Sequence, residues 1–277
     1  MSAPPAIQIP AKVKAKVPMA DVRIDDRDRV RTITLDRPAS KNALTPAIAL
    51  EIAQAIAGGT RANVIVIAGA NGAFCSGLDL KDAMVKGIHP GPELRKQMSE
   101  TFHAVIRALR TCGVPTIAAV DGAAAGFGCD LAVACDLRIC SERATFSELF
   151  VKRGLMPDGG STFLLPRIVG LGRALELFFT GDVIDAQEAL RIGLANRVVP
   201  TADLAARVAE LADRFAAGPP LAYEATKNAV YDNLDEPSLS RALDREADGQ
   251  MKLLASADFT EGVQAFLTKR PPKFTGQ

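Results

Sequence analysis

Two short runs whose only polar residue is Thr116, VIVIA at 64–68 and TIAAV at 116–120, constrain this chain most. A strand without a polar face has to be covered on both sides, and helices are the usual cover. Between these runs the texture changes to helical spacing. Leu94, Met98, Phe102, Val105, Ile106 and Leu109 predict one helix over 94–109, ended by Gly113 and Pro115. The segment 30–36 alternates apolar and polar residues and reads as a strand, and 137–140 reads as another. Thr45 at an N-cap with Pro46 at the first helical position opens a helix that Gly58 and Gly59 close. A further helix start is expected near Gly126. Alternating strands and helices define an α/β protein.

Asp185 and Glu188 are spaced as a capping box, opening a helix that Gly193 ends. From about residue 202 the pattern is almost wholly helical, including 202–217, 221–234 and 258–269. This divides the chain into a leader over 1–20, a core over 21–201 and a helical C-terminal region over 202–277. The leader carries lysines and prolines without an apolar stretch of signal-peptide type, so it reads as flexible.

Charge and composition exclude several classes. Lys plus Arg number 33 against 32 for Asp plus Glu, which lacks the basic surplus of a nucleic-acid binder. No apolar run reaches the roughly 20 residues that span a bilayer. The cysteines, Cys75, Cys112, Cys129, Cys135 and Cys140, form no CxxC pair, and they read as free thiols in a reducing, cytoplasmic compartment. His89 and His103 stand beside no ligand cluster, so no metal is expected.

Three stretches could carry chemistry: 73–79 (AFCSGLD), 121–130 (DGAAAGFGCD) and 154–162 (GLMPDGGST). In the last two a helix start follows small residues, so backbone N–H groups without intrahelical partners are open to a negatively charged ligand. The spacing of Gly122, Gly126 and Gly128 is not the dinucleotide pattern G-x-G-x-x-G, which speaks against a nicotinamide enzyme. Asp158 could serve merely as an N-cap. Asp130, on a helix of small apolar neighbours, is either solvated or a buried carboxyl with a raised pKa.

Taken together, these stretches resemble the enoyl-CoA hydratase/isomerase (crotonase) family. The likeness runs through 35–44, 73–80, 118–140, 154–170, 178–200 and 261–274, from about residue 22 to the end and in the family's order. It implies a spiral of ββα units, with a C-terminal helical region that builds homotrimers or hexamers. It also implies an acyl-CoA substrate with no further cofactor. By position the oxyanion hole falls to the backbone N–H groups of Leu78 and Phe127, the latter standing where the family usually has Gly. Phe74, Cys75, Ser76, Gly77, Asp79, Gly126, Phe150 and Lys269 fall at substrate-binding positions, with Lys41, Lys81 and Lys273 as further candidates for the CoA phosphates.

Family hydratases use two glutamates. Here Asp130 stands at the first position and Phe150, which exchanges no proton, at the second. Glu148 lies two residues before Phe150 and would face the same side if the segment were extended. Asp158 falls where dienoyl-CoA isomerases and chlorobenzoyl-CoA dehalogenases carry a catalytic aspartate. Isomerases of ring-epoxide phenylacetyl-CoA also resemble this chain, with Phe at the position of Phe150 and Pro-Asp at that of Pro157 and Asp158. The resemblance thus favours proton transfer beside the thioester carbonyl by Asp158, assisted by Asp130. The alternatives are a hydratase and a catalytically silent CoA-binding relative.

Overall fold

The computed structural model describes residues 21–58 and 61–277, so the leader and Gly59 lie outside the described residues. The strands in chain order are β1 (Val22–Arg27), β2 (Val30–Leu35), β3 (Val64–Gly69), β4 (Thr116–Val120), β5 (Ala123–Ala125), β6 (Leu137–Ser141), β7 (Thr145–Ser147), β8 (Ile184–Asp185) and β9 (Arg197–Val199). Six of them form one sheet in the order β1-β2-β3-β4-β6-β9, parallel except for the β1–β2 hairpin. The small sheet β5-β7-β8 stands beside it, joined by a bridge between Cys75 and Ala124.

The apolar runs are two-sided, as expected of covered strands. Ile65, Ile67, Ala118 and Val120 face a core shared with α1 (Pro46–Ala57), which precedes β3. After β3 come α2 (Leu80–Lys86), α3 (Pro92–Glu100), α4 (Phe102–Thr111) and α5 (Phe127–Ala134), and α4 and α5 complete that layer. Val64, Val66, Ile117 and Ala119 face the other way. Downstream lie α6 (Ser161–Val169), α7 (Leu171–Thr180), α8 (Ala186–Arg191) and α9 (Leu204–Ala216), and Leu204, Val208 and Leu211 of α9 close the second face. Each fully buried Ile or Leu in these layers contributes about 1.5–3 kcal/mol.

The Thr45 hydroxyl accepts from Ile48 N–H with Pro46 next in line, as expected for that cap. Asp185 accepts from Glu188 N–H at 2.8 Å, but Glu188 turns to Arg191, so only half of the capping box forms. The helix expected over 94–109 is two helices. They part at Thr101, whose hydroxyl donates to the Gln97 carbonyl at 2.7 Å. A side chain that bonds back to the preceding turn competes with helix continuation.

The C-terminal region continues in α10 (Pro220–Asn233), α11 (Leu239–Leu254) and α12 (Ala257–Leu267). Lys227 anchors α10, donating to the Leu109 and Val114 carbonyls at 2.9 Å and to Asp136 at 2.8 Å. No described helix is long and apolar enough to cross a membrane.

Candidate active site

The turn 75–79 is built around close backbone approaches. Gly77 has φ +90°, and a Cβ there would stand 2.7 Å from the Ala125 carbonyl oxygen and 3.2 Å from the Phe127 nitrogen. Only glycine fits both the left-handed backbone and that approach. The turn is fixed by Leu44 N–H donating to Gly77 O at 2.7 Å and Asp79 N–H to Leu44 O at 2.8 Å. Leu78 lies between them, and its N–H finds no acceptor among the described residues. Phe127 opens α5, so its N–H has no intrahelical acceptor. Two free donors thus meet at this junction. The Phe127 ring turns into the core, edge-on to Phe102 at 5.0 Å, which leaves its N–H clear.

The surrounding residues hold the turn. Phe74 and Cys75 are fully buried, and burial pushes the Cys75 thiol up to about 12, so it is no nucleophile at neutral pH. The Ser76 hydroxyl donates to the Ser40 carbonyl at 2.9 Å. Asp79 caps α2 through Asp82 N–H and pairs with Arg37 at 3.0 Å. Those contacts hold its carboxyl below the usual range, the Asp82 N–H contributing most. Gly126 caps α5 and donates to the Ser147 carbonyl at 2.8 Å. Lys41, Lys81, Lys269 and Lys273 are all exposed, and none forms an ion pair with another described residue.

One turn into α5, Asp130 is fully buried, which decides between the two environments open to it in the sequence. Its Oδ2 accepts from Gly159 N–H at 3.0 Å, and its Oδ1 accepts a short hydrogen bond from the Ser161 hydroxyl. Burial, with Glu148 nearby, raises its pKa well above the ordinary carboxyl value. Asp158 precedes Gly159 on the loop that enters α6. The cap of α6 is Gly160, so Asp158 does not serve as its N-cap. Asp158 is open to solvent on one side, yet the protein around it raises its pKa by desolvation, while the neighbouring His103 on α4 pulls it down.

Glu148 is buried in a way that the sequence did not reveal. The segment is not extended there: Glu148 precedes a 3-10 turn over Leu149–Arg153 and is only 1% exposed. Neither carboxyl oxygen completes a hydrogen bond, although the Ser161 hydroxyl and the Cys129 thiol lie near enough to favour the charged form. Burial dominates and lifts its pKa to about 7. Phe150 is buried in the same turn, its ring about one van der Waals contact from the Cβ position of Gly126. His103 was also passed over: its Nε2 is buried without a partner, near Asp158. Neither residue stands in a metal-ligand pattern, the usual signal for such groups.

A strand-to-helix junction with two free N–H groups, next to clustered carboxyls, is a scaffold for stabilising an oxyanion beside a proton-transfer group. This chain belongs to the enoyl-CoA hydratase/isomerase family, whose model matches residues 25–277. It is 42% identical over 258 residues to the "Probable enoyl-CoA hydratase" of Rhodobacter capsulatus, covering 92% of this chain and 98% of that protein. It is 36% identical to the 1,2-epoxyphenylacetyl-CoA isomerase of Escherichia coli, over 90% of this chain and 95% of that one. The crystal structure of an enoyl-CoA hydratase from Bacillus anthracis superposes with a TM-score of 0.87 at 32% identity, covering 93% of this chain and all of that one. The ββα spiral and the helical C-terminal region implied by the resemblance are therefore the fold of this protein.

Proposed function

We propose that this acyl-CoA enzyme moves a proton beside the thioester carbonyl in an isomerase-type reaction, with Asp158 as the base and Asp130 assisting. The thioester oxygen would accept from Leu78 and Phe127 N–H, which stabilise the enolate formed when the neighbouring carbon loses its proton. The observation that carries this reading is the convergence of Asp158 and Asp130 on one loop-and-helix junction without an ion-pair partner for either among the described residues. Burial raises both carboxyls, at Asp158 against the opposing pull of His103, in the direction that a base working near neutrality needs. Phe150, at the second glutamate position of hydratases, exchanges no proton.

A second reading, an enoyl-CoA hydratase, draws support from Glu148: with Asp130 it supplies two buried carboxyls, enough to activate water and deliver a proton. Product analysis with 2-enoyl-, 3-enoyl- and dienoyl-CoA substrates separates the two readings. Double-bond migration without a mass gain supports the isomerase, and addition of water supports the hydratase.

CoA would lie along 74–81, with the four exposed lysines available to its phosphates. Self-association as a homotrimer or hexamer through 202–277 is part of the same reading. It is supported by exposed apolar side chains on the last helices, such as Leu239 at 74% and Phe266 at 82%. A reducing, cytoplasmic location is supported by five free cysteines.

A further inference from the structure

The geometry points to a buried proton relay, Glu148–Ser161–Asp130, in which Glu148 acts through the Ser161 hydroxyl as the proton reserve of Asp130. This inference rests on the reading of Asp130 as an assisting acid-base group.

The relay follows from counting protons. Asp130 and Ser161 are fully buried and Glu148 is 1% exposed, so bulk solvent does not reach the missing hydrogen bonds in the resting protein. A hydroxyl has one proton to donate and lone pairs to accept with. Ser161 spends its proton on Asp130 Oδ1, leaving Glu148 unpartnered at both oxygens although that hydroxyl lies beside it. Two charged carboxylates with a single donor between them are unfavourable in a buried site. One proton on the pair removes the conflict. Asp130 already has two donors, Gly159 N–H and Ser161, so the proton resides on Glu148, which then donates to the Ser161 oxygen.

The groups facing Glu148 are Asp130 and Cys129 from α5, Ser161 at the start of α6, and Asp158 from the loop before it. His103 on α4 faces Asp158. No ion pair reaches Glu148 or Asp130 from another described residue.

The step balances without a co-reactant beyond solvent. Asp130, resting as the carboxylate, delivers to the substrate carbon a proton drawn through the relay: Glu148 passes its proton to the Ser161 oxygen. Ser161 passes its own proton to Asp130, leaving Glu148 as the carboxylate. Asp158, which took a proton from the substrate, releases it to water at the open side. Water returns one proton to the relay after product leaves.

The test uses the full chain, with infrared spectroscopy and deuterium exchange from heavy water into the acyl-CoA panel across pH. Glu148→Gln, Ser161→Ala, Ser161→Thr and Asp158→Asn are compared with wild type, each checked for folding by its thermal transition. A buried carboxylic-acid carbonyl band is expected in wild type at neutral pH, and it should vanish in Glu148→Gln. Glu148→Gln and Ser161→Ala should each slow turnover by about tenfold or more with little change in KM. The inflection near neutral pH should be lost, Ser161→Thr should recover most of the rate, and a variant combining Glu148→Gln with Ser161→Ala should be no slower than either single one. If Glu148→Gln keeps the wild-type rate, profile and band while Asp158→Asn is inactive, the relay is wrong and the reading of Asp158 survives. If Asp158→Asn is itself fully active, that reading fails independently. Should Glu148→Gln not fold, Ser161→Ala decides alone: a wild-type rate and pH profile overturn the relay.

Discussion

Gly159 and Asp130 are fitted to one another: the Gly159 N–H donates to Asp130 Oδ2 at 3.0 Å, and a Cβ on Gly159 would come within 2.4 Å of that oxygen. Gly159→Ala therefore pushes the carboxylate off its donor or moves the loop that carries Asp158. Overpacking of this kind costs about 1–3 kcal/mol. The expected outcome is a lower thermal transition together with a larger loss of kcat than of substrate affinity, measured by steady-state kinetics beside thermal unfolding.

The Gly77 turn makes a separate prediction about the proposed oxyanion donors. A methyl group at Gly77 meets the Ala125 carbonyl oxygen at 2.7 Å and forces apart the turn and the helix start that carry the Leu78 and Phe127 N–H groups. Gly77→Ala should reduce kcat roughly a hundredfold or more, the usual cost of losing one oxyanion donor. CoA itself should still bind, which calorimetry with the free coenzyme checks.

Stability has its own pH dependence through Glu148. Its pKa in the folded protein is about 7 against an ordinary 4.5. Between those values the folded state holds the proton more tightly than the unfolded chain, so stability falls as pH rises through that window. The effect is on the order of 1–3 kcal/mol. Thermal unfolding followed from acid to neutral pH should show this slope in wild type and a shallower one in Glu148→Gln.

Lys227 predicts a structural effect away from the site. The residue is 8% exposed, and its ammonium is satisfied by two carbonyls and Asp136. Lys227→Met leaves Asp136 without its cation and releases α10 from the loop after α4. Breaking a buried pair from one side costs about 3–5 kcal/mol. Denaturant unfolding should register that loss, while activity per folded molecule stays near wild type.

Much of this architecture was legible in the sequence because its signals are local. The two-sided runs at β3 and β4 announce covered strands, and Thr45-Pro46 and Asp185 announce helix starts through their own side chains. The hairpin strand β1 leaves no apolar period to read, because five of its six residues are exposed. The break at Thr101 was hidden by an unbroken helical spacing. At the site, Asp130, Asp158, Leu78 and Phe127 were named from motif position. Ser161 and the burial of Glu148 are not legible there, because both depend on how the turn after β7 packs against α5 and α6, which no spacing along the chain encodes. His103 was dismissed for lack of neighbours in sequence, though Asp158 is its neighbour in space.

The most direct test of the central claim is double-bond migration and solvent-deuterium exchange with 3-enoyl- and dienoyl-CoA, followed by mass spectrometry for wild type and Asp158→Asn. The account predicts migration without water addition in wild type, and a loss of about a hundredfold or more in Asp158→Asn. Water addition by wild type, undiminished in Asp158→Asn, would contradict it and assign the chemistry to Asp130 and Glu148 as a hydratase pair.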